Sequence, residues 1–77
     1  MKIKVTVTLK NGVLDPQGKA IQQTLNGMGF PNVEEVRQGK YFEVEVNEKD
    51  EDKAKSKVEE MCKKLLANLV IEDFKIL

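Results

Sequence analysis

The sequence predicts a small α+β domain in which four antiparallel strands carry two helices on one face. Three observations support this class. The first residues alternate strictly between apolar and polar side chains, two later segments carry apolar residues at helical spacing, and the elements follow one another as β-α-β-β-α-β. With 77 residues the chain has room for one domain, residues 1–77, and no repeat or low-complexity stretch divides it.

The first strand and the first helix have clear local signals. Residues 2–10 place Ile3, Val5, Val7 and Leu9 on one face and lysines and threonines on the other, which predicts a half-buried strand closed by Asn11-Gly12. Asp15-Pro16 predicts a helix start. Three apolar residues then recur at i, i+4 and i+7 and predict a buried stripe on a helix over about 16–28: Ile21, Leu25 and Met28. Gly29 is the predicted left-handed residue that ends it.

The middle of the chain predicts a β-hairpin. Pro31 favours an extended segment over 32–38, in which Val33 and Val36 break strict alternation, as in an edge strand or at a bulge. A tight turn at 38–40 would join it to a second strand, which alternates over 41–46. In that second strand the predicted inward residues are Phe42, Val44 and Val46.

A second helix and a last strand complete the pattern. The predicted buried stripe of the helix consists of Ala54, Val58, Met61, Cys62, Leu65 and Leu66. Acidic residues in its first turn and lysines in its last match the helix dipole, and Asn68 is a plausible left-handed stop. Residues 69–77 are apolar on both faces, which predicts a strand covered on both sides. Two helices on one face of a four-stranded antiparallel sheet, in this order, make the ferredoxin-like arrangement.

Composition excludes several classes of function. The chain has no histidine and a single cysteine, Cys62, so an internal disulfide and a zinc site are both excluded. Thirteen basic residues balance thirteen acidic ones, whereas a nucleic-acid binder normally has a basic excess. No apolar run approaches the roughly 20 residues of a membrane span. A soluble, cytoplasmic protein is predicted. Because small domains without disulfides or metals often need oligomerisation or a partner for stability, we also expect protein contacts.

No residue pattern predicts catalysis or a ligand site. Cys62 has the position of a core residue, where an apolar setting raises the thiol pKa and disfavours nucleophilic chemistry. The acidic stretch 48–52 lacks the glycine of a calcium loop, and Gly27-Met28-Gly29 closes a helix whereas a phosphate loop opens one. Residues 39–46 resemble an RNA-binding strand, but only Tyr41 would point outward, between glutamates that repel phosphate.

The outer face of the predicted sheet is the remaining candidate for a binding surface. It mixes polar and apolar residues, namely Thr6, Thr8, Tyr41, Ile71 and Leu77. Such a surface is suited to contact with another protein. The alternative is a solvated face with a few isolated apolar side chains.

The chain resembles the PurS family, the small subunit of phosphoribosylformylglycinamidine synthase. Four stretches carry the resemblance, and together they span essentially the whole chain: Val13–Gly18, Val36–Tyr41, Met61–Asn68 and Val70–Phe74. Leu69 departs from the family pattern, in which a proline or small polar residue is expected after the asparagine.

The resemblance implies a non-catalytic subunit of an ATP-dependent glutamine amidotransferase in de novo purine synthesis. It would associate as a dimer and join a PurL-type synthetase to a PurQ-type glutaminase, supporting ammonia transfer between them. ATP and glutamine would be used by those partners, with no cofactor in this chain. Our hypothesis for the partner interface consists of Arg37, Lys40 and Tyr41 at the predicted hairpin, with Ile71 on the last strand. A ligand-sensing regulatory domain of the same fold is the alternative.

Overall fold

A computed structural model describes all 77 residues and contains one three-stranded antiparallel sheet and two α-helices. The elements, in chain order, are β1 (Lys2–Leu9), α1 (Pro16–Gly27), β2 (Gly39–Glu45), α2 (Glu51–Met61) and β3 (Glu72–Ile76). A single π-helical turn, Cys62–Leu66, continues α2. Neither helix has the length and apolar composition needed to cross a membrane.

Strand β1 lies at the centre of the sheet. The order is β2-β1-β3, and β1 pairs antiparallel with both neighbours, so that Val5 lies opposite Phe42 on one side and Ile76 on the other. The alternation predicted for β1 is confirmed, because Ile3, Val5 and Val7 are buried. We call their side of the sheet the inner face.

Helix α2 covers the inner face. Its N-terminus is capped by the Asp50 carboxylate, which accepts hydrogen bonds from the backbone N–H groups of Asp52 and Lys53 at 2.9 and 3.2 Å. Ala54, Val58 and Cys62 then pack against the inward side chains of β1 with no exposed surface. The predicted stripe is confirmed for these three residues. It is wrong for Met61 and Leu65, which are 39% and 83% exposed.

The prediction of a fourth strand over 32–38 is wrong, and the predicted hairpin and four-stranded ferredoxin-like sheet fail with it. Beyond Val33, the segment is extended but unpaired: the backbone N–H groups of residues 34–37 donate to no other backbone group. Its polar contacts are made by side chains instead, since the Val33 carbonyl accepts from Gln22 and Asn26 of α1. Gly39, placed in the predicted turn, is the first residue of β2.

The prediction that α1 packs on the sheet is also wrong. Helix α1 makes no extensive contact with any strand, and Gly18 is its one buried residue. Instead, α1 and the extended segment that follows it project together beyond the end of the sheet, and we call residues 13–38 the arm. The molecule is accordingly elongated, with dimensions of 49 × 24 × 14 Å.

The last strand is shorter and simpler than its sequence suggests. Its half-buried apolar residues, Phe74 and Ile76, face inward, and its exposed residues, Asp73 and Lys75, are charged. Leu69, Val70 and Ile71 lie in the turn before it. The left-handed conformation predicted at Asn68 is wrong, because only Gly12 and Gly29 have a positive φ among the residues of the chain. The two-sided apolar pattern of 69–77 therefore reflects a turn followed by a one-sided strand.

Candidate functional site

The root of the arm is built around the carboxylate of Asp15. One carboxylate oxygen accepts a hydrogen bond from the Gly18 N–H at 2.8 Å, which caps α1 as predicted. The other accepts from the Gln38 N–H at 2.7 Å, at the point where the extended segment returns to the sheet. These bonds, that of Gln38 foremost, hold the pKa of the Asp15 carboxyl below its ordinary value. A single buried side chain thus fixes both ends of the arm to each other.

Arg37 fixes the arm to the sheet. Its guanidinium donates to three backbone carbonyls at the end of β1 and in the following turn, those of Leu9, Lys10 and Val13, at 3.1 to 3.3 Å. The Glu35 carboxylate lies 3.9 Å away. Arg37 is one of the predicted interface residues, but most of its hydrogen-bonding capacity is already used within the chain.

Gly18 is required where α1 meets the extended segment. A Cβ atom at this position would overlap the Val36 carbonyl oxygen and would lie 2.8 Å from a carboxylate oxygen of Asp15. No sequence pattern predicts this close approach between residues 18 positions apart. Its only local signal was a glycine in the first turn of a helix, where glycine is otherwise unfavourable.

Lys40 and Ile71, two further predicted interface residues, lie at the same end of the sheet as Arg37. The Lys40 ammonium lies 3.7 Å from the carboxylate of Glu72, and the neighbouring Ile71 carbonyl accepts from the Lys10 N–H at 2.8 Å. The structure therefore brings Arg37, Lys40 and Ile71 together around the end of β1, although they are up to 34 positions apart in sequence.

Tyr41 lies apart from this group, on the outer face of the sheet. It is 53% exposed and stands opposite Thr6, and its hydroxyl donates to the Glu43 carboxylate at 3.1 Å. Partial desolvation and this neighbouring carboxylate raise the pKa of the Tyr41 hydroxyl. Around it the outer face carries charges of both signs, because Lys4 lies opposite Glu43 in the strand register and the Lys2 ammonium lies 3.6 Å from the Glu43 carboxylate. An exposed aromatic ring among such charged side chains suits a protein contact.

A shallow depression of about 370 Å³ lies between α1 and the extended segment. Its charged lining mixes both signs, with the carboxylates of Glu34 and Glu35 beside the Lys19 ammonium and Arg37. Because the guanidinium of Arg37 already binds carbonyls, this depression offers no concentrated charge to a small ligand.

The single thiol belongs to the core. Cys62 has no exposed surface, and burial raises its pKa above the ordinary value. The prediction of a structural cysteine agrees with this placement, since a buried, protonated thiol is a poor nucleophile.

Comparison with known proteins gives consistent matches along the whole chain. The family model described as PurS, phosphoribosylformylglycinamidine (FGAM) synthase, matches residues 2–77. The phosphoribosylformylglycinamidine synthase subunit PurS of Methanocaldococcus jannaschii is 51% identical over 75 residues, which cover 97% of this chain and 90% of the relative. The Bacillus subtilis protein of the same name is 51% identical over 74 residues, covering 96% and 87%.

Solved structures repeat the same fold. The crystal structure of M. jannaschii PurS superposes with a TM-score of 0.87 at 51% identity, covering 99% of this chain and 92% of that one. A chain of the PurLQS structure from Thermotoga maritima superposes with a TM-score of 0.87 at 29% identity, covering 100% and 96%. The arm and the three-stranded sheet therefore lie within the region that superposes.

Proposed function

The chain belongs to the PurS family, and from that membership we propose that it joins the synthetase and glutaminase subunits of one enzyme complex. It is a subunit of phosphoribosylformylglycinamidine synthase, an enzyme of purine biosynthesis, and has no catalytic role of its own. Its partners are the PurL and PurQ subunits. The observation that carries this conclusion is the superposition of the whole chain on a chain of the PurLQS structure.

In our proposal the chain contributes surfaces and its partners contribute chemistry. Ammonia released from glutamine in one active site has to reach a second site without escaping to water. A subunit that contacts both partners can hold the two sites in register and seal the path between them. We propose that ATP and glutamine are used in the partners, that this chain holds no cofactor, and that the complex works in the cytoplasm.

The partner surface that we propose combines the end of β1 with the outer face of the sheet. Tyr41 and Ile71 supply exposed apolar area, and Lys40 supplies a cation whose only ion pair is at 3.7 Å. Arg37 supports this surface from behind, because its guanidinium binds the chain's own carbonyls. We therefore assign Arg37 a positioning role and the other three residues direct contact. No observation favours the ligand-sensing alternative.

The test is reconstitution with PurL-type and PurQ-type subunits. We expect glutamine-dependent formation of formylglycinamidine ribonucleotide only when this chain is present, together with a complex of the three chains in size-exclusion chromatography. Activity with ammonium salts as nitrogen source serves as the control, because it needs the synthetase but no ammonia transfer. Full glutamine-dependent activity from the two partners alone would contradict the proposal.

The proposed surface is tested separately by the double variant Tyr41→Ala/Ile71→Ala. Aromatic residues at the centre of an interface often contribute 2 kcal/mol or more, so we expect at least tenfold weaker binding to a partner. Lys53→Ala is the matched control, since Lys53 is exposed on α2 and its side chain forms no ion pair. Equal binding of both variants would place the contact elsewhere on the chain.

A further inference from the structure

The chain contains two Asn-Gly pairs, Asn11-Gly12 and Asn26-Gly27. Asparagine followed by glycine is prone to spontaneous loss of the side-chain amide, because glycine has no side chain to shield the backbone nitrogen that attacks the amide carbon. The reaction needs a glycine nitrogen that is not held by a hydrogen bond and an asparagine side chain that is free to rotate. The structure places the two pairs in opposite situations with respect to both requirements.

Asn11 and Gly12 are the central residues of the turn that follows β1. The Val13 N–H donates to the Lys10 carbonyl at 3.1 Å, Gly12 has a φ of 84° and the φ of Asn11 is not positive, as in a type II turn. The Gly12 N–H has no acceptor, and the exposed Asn11 side chain makes no hydrogen bond. The peptide between them can rotate to the type I orientation without breaking the outer hydrogen bond, since glycine adopts the φ of either turn. The Gly12 nitrogen can therefore reach the Asn11 amide in the folded protein.

Asn26 and Gly27 lie at the end of α1, where both reacting groups are held. The Gly27 N–H donates along the helix. The Asn26 amide donates to the carbonyls of Phe30 and Val33 at 2.9 and 3.1 Å. These bonds fix the amide on the extended segment of the arm, so reaction at this pair requires local opening of α1.

We propose that Asn11 is a site of spontaneous deamidation in the folded protein, that Asn26 is protected, and that isoaspartate at position 11 weakens the attachment of the arm. The Gly12 nitrogen attacks the side-chain amide carbon of Asn11 and forms a C–N bond. The bond from that carbon to the amide nitrogen breaks, and ammonia leaves with the proton of the Gly12 N–H. Water then opens the succinimide ring. Hydrolysis at the side-chain carbonyl gives aspartate, and hydrolysis at the main-chain carbonyl gives isoaspartate, whose backbone is longer by one methylene group.

The added methylene group would lie between two carbonyls that Arg37 binds. The guanidinium donates to the carbonyl of Lys10, before the site, and to that of Val13, after it, both at 3.1 Å. A longer backbone changes the separation of these acceptors, so one guanidinium no longer holds both at hydrogen-bonding distance. Conversion to aspartate keeps the backbone length and should keep both bonds. The partner subunits of the proposed function play no part in this inference.

The first test compares the two pairs in the same molecule. The full chain is incubated at mildly alkaline pH, folded or unfolded in urea, and trypsin then separates the pairs into peptides 11–19 and 20–37. Fragmentation mass spectrometry locates each exchange of NH2 for OH. In the folded protein we expect Asn11 to react at least about tenfold faster than Asn26, since an opening free energy of about 1.4 kcal/mol lowers the reactive population tenfold. In urea the two rates should converge.

Two outcomes of this comparison would overturn the proposal. One is an Asn11 that stays unmodified, or reacts no faster than Asn26, in the folded chain. The other is a tenfold difference that persists in urea, because the fold would then not be its cause. Asn11→Gln is the control variant: its longer side chain would have to close a less favourable six-membered ring, so peptide 11–19 should stay unmodified.

The second test measures what isoaspartate does to the arm. The isoaspartate form is isolated by chromatography and identified by its reaction with protein isoaspartyl methyltransferase. Asn11→Asp is the matched reference, because it has the same charge and a backbone of normal length. Loss of one hydrogen bond from Arg37 should raise the unfolded fraction at a given urea concentration about fivefold over that reference. Equal unfolding curves for the two forms would refute the weakened attachment.

Discussion

Replacing Gly18 by alanine tests how the root of the arm is packed. An added Cβ would lie 2.8 Å from the Asp15 carboxylate oxygen and still closer to the carbonyl oxygen of Val36. Neither neighbour can move freely, since Asp15 is held by two backbone N–H groups and Val36 is part of the backbone that those bonds fix. Relieving such an overlap costs typically about 1–3 kcal/mol.

The helix propensity of alanine opposes this steric cost and reduces the expected loss of stability. Alanine favours a helix over glycine by about 1 kcal/mol and restricts the unfolded chain. We therefore expect Gly18→Ala to lower the free energy of unfolding by up to about 2 kcal/mol. For a domain of this size that corresponds to a drop in Tm of up to about 15 °C.

Gly27→Ala is the matched control at the other end of α1. Nothing lies within 4 Å of a Cβ there, and its φ is not positive. This variant should be as stable as the wild type or slightly more stable. The measurement is urea unfolding of both variants at one protein concentration, because association changes apparent stability. If Gly18→Ala were as stable as Gly27→Ala, the close approach of α1 to the extended segment would be wrong.

Three further outcomes follow from the same structure. The free energy of unfolding should fall in acid because of Asp15. The folded-state pKa of Asp15 lies below the ordinary value of 3.8, so the ionised carboxylate stabilises the fold fully above pH 3.8. This stabilisation is lost as the pH falls through the lowered pKa. Asp15→Asn should be less stable at neutral pH and show a flatter acid limb in urea titrations. The Cys62 thiol is buried and has a raised pKa, so it should react with iodoacetamide only as fast as the protein unfolds. Fast labelling of the folded protein would contradict the burial of Cys62 in the core. Val58→Ala should cost about 2 kcal/mol by creating a cavity, whereas Val70→Ala, at an 83% exposed position, should change the stability by less than about 0.5 kcal/mol.

The positioning role of Arg37 affects how variants of the proposed interface are read. Its guanidinium donates to carbonyls of Leu9, Lys10 and Val13, so truncation removes bonds within the chain. Loss of complex assembly in an Arg37 variant could therefore result from displacement of the arm as well as from loss of a contact with a partner subunit. Tyr41 and Ile71 are cleaner probes, because much of each side chain is exposed and neither side chain supports the arm.

The sequence by itself determined the elements whose signals are local. Strict alternation placed β1 and its buried face, and Asp15 and Gly29 marked the two ends of α1. Apolar spacing on α2 identified Ala54, Val58 and Cys62 as core. These features follow from steric and hydrogen-bonding preferences of neighbouring residues, which act in the same way wherever the segment is placed.

Only the tertiary structure decided where the arm lies and that the sheet has three strands. The apolar periodicity of α1 shows that one face of the helix favours burial against another surface. The periodicity is the same whether that surface is the chain's own sheet or another protein. The extended segment stayed unpaired because Asp15 and Arg37 hold it at the end of β1, through bonds that span 23 to 28 positions in sequence. Strand pairing and helix docking are non-local choices between alternative partners, and local patterns carry no information about which partner is in reach.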